Sequence, residues 1–213
     1  MTAVLLPLGT LMFLALEWAN PQTLGPLSTP GKVLAGFFQS VQTRTAGFNS
    51  INPGDLDEAT LLGSDVLMFI GGGSGGTAGG IKVTTFAVLL FVILTEVRGD
   101  ESVTAFARRI PREVQRQALS VALLAVAVVV GSTAMLLLLT PFGLSQVLYE
   151  VVSAFATVGL STGITAQVGV PGQLVLVALM FLGRLGPITL ASALALRSRP
   201  RLYDVPQERP LIG

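Results

Sequence analysis

The chain contains no cysteine and no histidine in its 213 residues. Their absence excludes disulfides, thiol nucleophiles, imidazole bases and Cys/His metal centres. Charge is scarce too. Only 12% of residues are charged, against about 25% in an average soluble domain. A net charge of +1 carries no signature of polyanion binding, nucleic acid included. What fills the chain instead is apolar: 51% of residues, for a mean hydropathy of +0.74. A soluble protein of this size needs more polar surface to cover its core, so the composition points to a bilayer.

The apolar segments repeat. Leu67-Met68-Phe69-Ile70-Gly71 returns as Leu179-Met180-Phe181-Leu182-Gly183, 112 positions later. The same shift carries Thr45-Ala46-Gly47-Phe48-Asn49-Ser50 onto Thr157-Val158-Gly159-Leu160-Ser161-Thr162, and Gly31 onto Gly143. A register kept this long without gaps marks two copies of one unit, as in many membrane transport folds. The unit reads as apolar span, short amphipathic stretch, Thr/Gly turn, apolar span.

Spans are expected at Ala3–Leu16 (shortened at its start, with Glu17-Trp18 as interface anchor), Ala118–Leu139 and Leu174–Leu196. Val66–Thr95 reads as a span broken in mid-membrane by the glycine run 71–80. Val33–Gln42 and Ser145–Ala156 are too short to cross and suit re-entrant pore helices. Arg98, Arg108, Arg109, Arg112 and Arg116 lie between the repeats, and Arg197, Arg199, Arg201 and Arg209 follow the last span. The positive-inside rule makes both regions cytoplasmic and turns the Thr/Gly segments outward. Asp55, Asp57, Glu58 and Asp65 then lie outside, either raising local cation concentration or forming a solvated loop.

Selecting a dehydrated alkali cation requires backbone carbonyls at close quarters. Segments 43–49 and 155–163 are suited to supply them. Each follows a short helix whose negative end faces the cation, and each holds a glycine free to turn a peptide inward. The expected ion-binding carbonyls are those of Thr45, Ala46, Gly47 and Phe48, and of Thr157, Val158, Gly159 and Leu160. The run Gly71, Gly72, Gly73, Ser74, Gly75, Gly76, Thr77, Ala78, Gly79, Gly80 fits the dinucleotide pattern at Gly71, Gly73 and Gly76, with Glu96 twenty residues on. No strand–helix alternation surrounds it, and the second repeat lacks the glycines. A pore-narrowing gate or close helix packing through Gly72 and Gly76 are the membrane readings. Arg184 falls inside the last span; it either latches the loop through its carbonyls or serves packing against a partner elsewhere. Lys82 either snorkels to the inner interface or lines the inner mouth.

Ser40-Val41-Gln42-Thr43-Arg44-Thr45-Ala46-Gly47-Phe48-Asn49, the run from Phe69 to Lys82, the segment Ser153 to Gly163 and Gly183-Arg184-Leu185-Gly186-Pro187 together resemble the Ktr/Trk/HKT potassium transporter superfamily, most of all its bacterial Ktr-type membrane subunit. That resemblance implies an all-α integral membrane protein, potassium-channel-like, holding the third and fourth of four span–pore–span repeats. Residues 1–97 form one repeat, 98–117 an arginine-rich linker, 118–197 the second repeat and 198–213 a cytoplasmic tail. It implies no enzyme. Gly47 and Gly159 become filter glycines, Gly71 to Gly80 a gating loop and Arg184 the arginine beside it. The transported ion is potassium, with sodium as the alternative, and no covalently bound cofactor is expected. Expected partners are the plasma membrane, crossed several times, an N-terminal half or second copy, a cytosolic ring that carries the nucleotide, and a homodimer of the full subunit. The competing readings are a non-conducting half-subunit and a nucleotide-binding membrane enzyme.

Overall fold

A computed structural model describes residues 1–73, 76, 78–99, 102–105 and 108–196, with backbone only for 186–196. Ser74, Gly75, Thr77 and the expected tail from 197 onward therefore lie outside the described residues. Seven α-helices dominate: α1 (Thr2–Glu17), α2 (Thr29–Gln42), α3 (Glu58–Phe69), α4 (Val83–Arg98), α5 (Arg112–Leu139), α6 (Leu144–Phe155) and α7 (Gly169–Leu196). A hairpin of β1 (Thr104–Ala105) and β2 (Arg108–Arg109) pairs Thr104 with Arg109 and Ala105 with Arg108.

Several boundaries depart from the sequence expectation, each for a local reason. Helix α2 begins at Thr29 rather than Val33 because Pro30, which has no N–H to lose, opens its first turn. Helix α5 takes in Arg112 and Arg116, shortening the linker, since Arg, Glu and Gln extend a helix well past its apolar part. Helix α7 starts at Gly169, with Pro171 in its first turn. The stretch around the glycine run divides into α3 and α4, with non-helical backbone at the described residues between them. At 16 residues or fewer, neither half reaches the about 20 residues that a bilayer crossing needs. Among the described residues, α5 is the one helix both long and apolar enough to cross, with a mean hydropathy of 2.6 and only 22% of that window buried within the protein.

Helix α6 is the centre. It packs on α3, α5 and α7, and every residue from Tyr149 to Phe155 is buried. The two repeats meet where α3 and α6 end: Phe69 and Phe155 stack with centroids 6.1 Å apart. Small residues set the approach of other pairs. Gly9 of α1 lies directly under the Ser40 hydroxyl, which donates to the Leu6 carbonyl at 2.9 Å. Gly183 of α7 lies against the Phe155 carbonyl with no room for a Cβ. The outward faces are apolar, with Leu11, Val130, Leu138, Val170 and Phe181 each more than half exposed. Such a surface suits lipid or protein, not water.

At the C-terminal end of α1, Glu17 is 1% exposed. It accepts from Asn20 Nδ2 (2.7 Å), Thr23 Oγ1 (2.6 Å) and the Asp57 amide (3.0 Å), tying the 18–28 turn to the start of α3. Asp65 corrects the outer-acid expectation. It sits within α3, 5% exposed, with Oδ1 lacking a partner and facing an otherwise apolar groove of about 360 Å³. Its spacing from Leu61 and Met68 puts it on a buried helix face rather than in a solvated loop.

Because Gly183 abuts a backbone oxygen that cannot move aside, Gly183→Ala is expected to cost about 2–3 kcal/mol by overpacking. Denaturant unfolding in detergent micelles measures this; an unchanged midpoint contradicts the close α6–α7 contact.

Candidate functional site

Two turns leave the C-termini of α2 and α6, and their backbones match. Thr45 and Thr157 have φ of 70° and 53°, and Gly47 and Gly159 have φ of 74° and 91°. Threonine is β-branched, and in the left-handed region it is strained by about 1–3 kcal/mol. Among the described residues no other non-glycine has positive φ. The strain therefore falls twice, at corresponding positions of the two repeats. A backbone that alternates left-handed with right-handed or extended residues can turn successive carbonyls to one side.

Hydrogen bonding follows the same logic. The carbonyls of Thr45, Ala46, Gly47, Phe48, Thr157, Val158 and Gly159 accept no hydrogen bond among the described residues. Leu160 differs from the expectation: its carbonyl accepts from Ser153 Oγ at 2.5 Å and is turned back toward α6. The turns also face one another. A Cβ on Gly47 would lie 2.6 Å from the Val158 carbonyl oxygen, and one on Gly159 would lie 3.5 Å from Gly47 Cα. The helices behind them point their C-terminal ends, and so their partial negative charge, at this region.

The glycine loop lies against the second turn. The Gly79 amide donates to Thr157 Oγ1 at 3.0 Å, and a Cβ on Gly79 would stand 2.8 Å from the Ala156 carbonyl oxygen. Gly80 adopts φ 70° close to Ala156. The base of the loop is zipped: the Gly71 amide donates to the Ile81 carbonyl (2.8 Å), Ile81 to Phe69 (3.2 Å) and Val83 to Gly72 (3.2 Å). A helix rather than a strand precedes the run, so the dinucleotide pattern of Gly71, Gly73 and Gly76 lacks its structural context. Glu96 lies in the last turn of α4, a helix away.

Arg184 is expected to hold this loop, of which Ser74, Gly75 and Thr77 lie outside the described residues. It is exposed on α7, lining a cavity of about 530 Å³ with Thr157, Gly159 and Phe181. Two loop carbonyls, those of Gly76 (3.1 Å) and Ala78 (2.5 Å), accept from Lys82 Nζ. Arg44 Nη1 donates to the Ile70 carbonyl at 2.6 Å, binding the first turn to the end of α3. Its Nε and Nη2 are buried without partners among the described residues. Sequence reasoning gave Arg44 no role, because the repeat places Ala156 at the matching position and offers no signal there.

A family model described as "TrkH: Cation transport protein" matches residues 1–200. The chain belongs to the TrkH family. This TrkH-family chain is 41% identical over 212 residues to Ktr system potassium uptake protein B of Vibrio alginolyticus, covering 100% of the chain and 46% of that protein. It is 38% identical to the Bacillus subtilis protein of the same name, over 91% of the chain and 44% of that protein. It is 36% identical to the potassium/sodium uptake protein NtpJ of Enterococcus hirae, over 100% of the chain and 48% of that protein. The chain thus spans about half the length of the curated relatives it matches. The crystal structure of the potassium transporter TrkH from Vibrio parahaemolyticus superposes with a TM-score of 0.69 at 20% identity, over 92% of this chain and 42% of that one. The fold is accordingly the mostly helical one of a membrane transporter.

Thr157→Val removes the acceptor of the Gly79 amide without changing side-chain size. One hydrogen bond of about 1 kcal/mol predicts an approximately fivefold faster hydrogen exchange at Gly79. Unaltered exchange contradicts the coupling of loop and turn.

Proposed function

We propose that this chain supplies two walls of a potassium-conducting pore, with the filter lined by the carbonyls of Thr45–Phe48 and Thr157–Gly159 and the loop 71–80 as its gate. The observation that carries this reading is the paired strain: a left-handed threonine followed two residues later by a left-handed glycine, in both repeats. Such strain persists only where the surrounding structure enforces it, and here it leaves seven carbonyls without donors among the described residues. A cation that sheds water at the outer face regains ligands there. No covalent step is involved, and the role is transport rather than catalysis.

Helices α1 to α4 and α5 to α7 are read as two span–pore–span repeats, the first with its second span broken between α3 and α4. Two further units complete the ring of carbonyls, supplied by other span–pore–span repeats or by a second copy. Potassium is favoured because both filter positions are glycine, and relatives named as potassium uptake proteins support it. The potassium/sodium uptake protein keeps sodium as the alternative. In this reading the protein crosses the plasma membrane several times. Arg98 to Arg116 faces the cytosol, where a nucleotide-binding ring and the homodimeric partner of the full subunit bear on gating. The loop, held by Lys82 and touching Thr157, moves against the filter it lies beneath.

Potassium and sodium flux into liposomes, with the chain alone and with complementary repeats, tests this. Gly159→Ser keeps ordinary spacing but forces a side chain into φ 91°, whereas Gly47→Ser also collides with the Val158 carbonyl. Both are expected to lower the potassium-to-sodium ratio, Gly47→Ser the more severely. No potassium-selective flux under either condition overturns the reading and favours a non-conducting structural role.

A further inference from the structure

Glu150 of α6 is 5% exposed, yet it is amply served. Its Oε1 accepts from Ser161 Oγ (2.6 Å), the Thr162 amide (2.9 Å) and Thr162 Oγ1 (3.2 Å), and its Oε2 from Thr165 Oγ1 (2.8 Å). Burying a carboxylate is costly unless its lone pairs are filled, and four donors fill them. All four belong to the segment that continues directly from Gly159 and Leu160. Ser161 Oγ also accepts the Gly163 amide at 2.9 Å, closing that segment on itself. One turn along the same face of α6, Ser153 holds the Leu160 carbonyl. The helix therefore grips its own exit strand at two heights.

The first repeat has no such grip. The 112-residue shift takes Glu150 to Phe38, which is 43% exposed, and Ser153 to Val41. Two walls with the same dihedral signature are thus unequally braced. A smaller ion is held well only if carbonyls close in on it, and a strand pinned at its outer end resists that movement. We infer that Glu150 is a selectivity-positioning residue: through Ser161, Thr162 and Thr165 it fixes the spacing of the Thr157–Gly159 carbonyls and so disfavours sodium. The inference rests on the pore reading above.

The test uses the chain assembled with its complementary repeats in liposomes and compares wild type, Glu150→Gln and Thr165→Val. Glu150→Gln turns an amide toward hydroxyl and N–H donors, while Thr165→Val removes one peripheral donor and preserves shape. Glu150→Gln is expected to lower the potassium-to-sodium flux ratio by about tenfold, and Thr165→Val by about threefold, as charge-assisted hydrogen bonds are lost. In both, the ratio falls because sodium flux rises while potassium flux is kept. A purely structural role cannot move the ratio in that way. If both variants keep the wild-type ratio, or if potassium and sodium flux fall in proportion, the positioning role is overturned. If wild type itself carries no potassium-selective flux, the pore reading fails and takes this inference with it.

Discussion

In the proposed pore, carbonyls turned toward a cation are turned away from the N–H partners of regular structure. The two Thr-x-Gly turns fit that constraint. Folding normally pairs nearly every buried backbone oxygen, in a helix, a ladder or a turn. Here α2 and α6 stop at Gln42 and Phe155, and the chain continues in a conformation that belongs to neither helix nor sheet. Regular structure would consume the carbonyls. The left-handed threonines hold the backbone out of it, at a cost that the rest of the domain offsets by burial around α6.

Offsetting that cost needs a rigid support, and the support is asymmetric. Helix α6 is enclosed by α3, α5 and α7, while α2 rests chiefly on α1 and leaves Leu34, Phe37 and Phe38 exposed. The second turn is secured by Ser153 and by the Gly79 amide. The first is secured at one point by Arg44, which crosses to the Ile70 carbonyl where α3 gives way to the loop. Each turn is therefore tied to the glycine loop region by a different bond. A displacement of the loop is felt at both turns, at Thr157 through an amide and at Arg44 through a guanidinium.

The mostly helical fold and the pair of matching turns were legible in the repeat. A gap-free shift of 112 residues sets Thr45 and Gly47 against Thr157 and Gly159, since duplicated units keep their register where packing keeps their shape. The same symmetry hid what is used once. Arg44 corresponds to Ala156 and Glu150 to Phe38, so neither gained support from the repeat. Asp65 was grouped with Asp55 and Asp57 by nearness in sequence, although helical spacing buries it. Arg184 drew attention because a charge in an apolar stretch is conspicuous, but sequence does not say which way a helix face turns. Lys82, adjacent to the loop in sequence, donates to its Gly76 and Ala78 carbonyls.

The faces left open complete the physical argument. On one flank the apolar side of α2 is uncovered; on the other, a cavity of about 530 Å³ runs from Glu150 past Thr157 and Gly159 to Arg184. Carbonyls arranged on two sides of an ion leave its remaining coordination to water, which favours the smaller and more strongly hydrated cation no less than the larger. Discrimination by carbonyl spacing requires a closed ring. In the pore proposed for this chain, the walls that close it come from further repeats or a second copy.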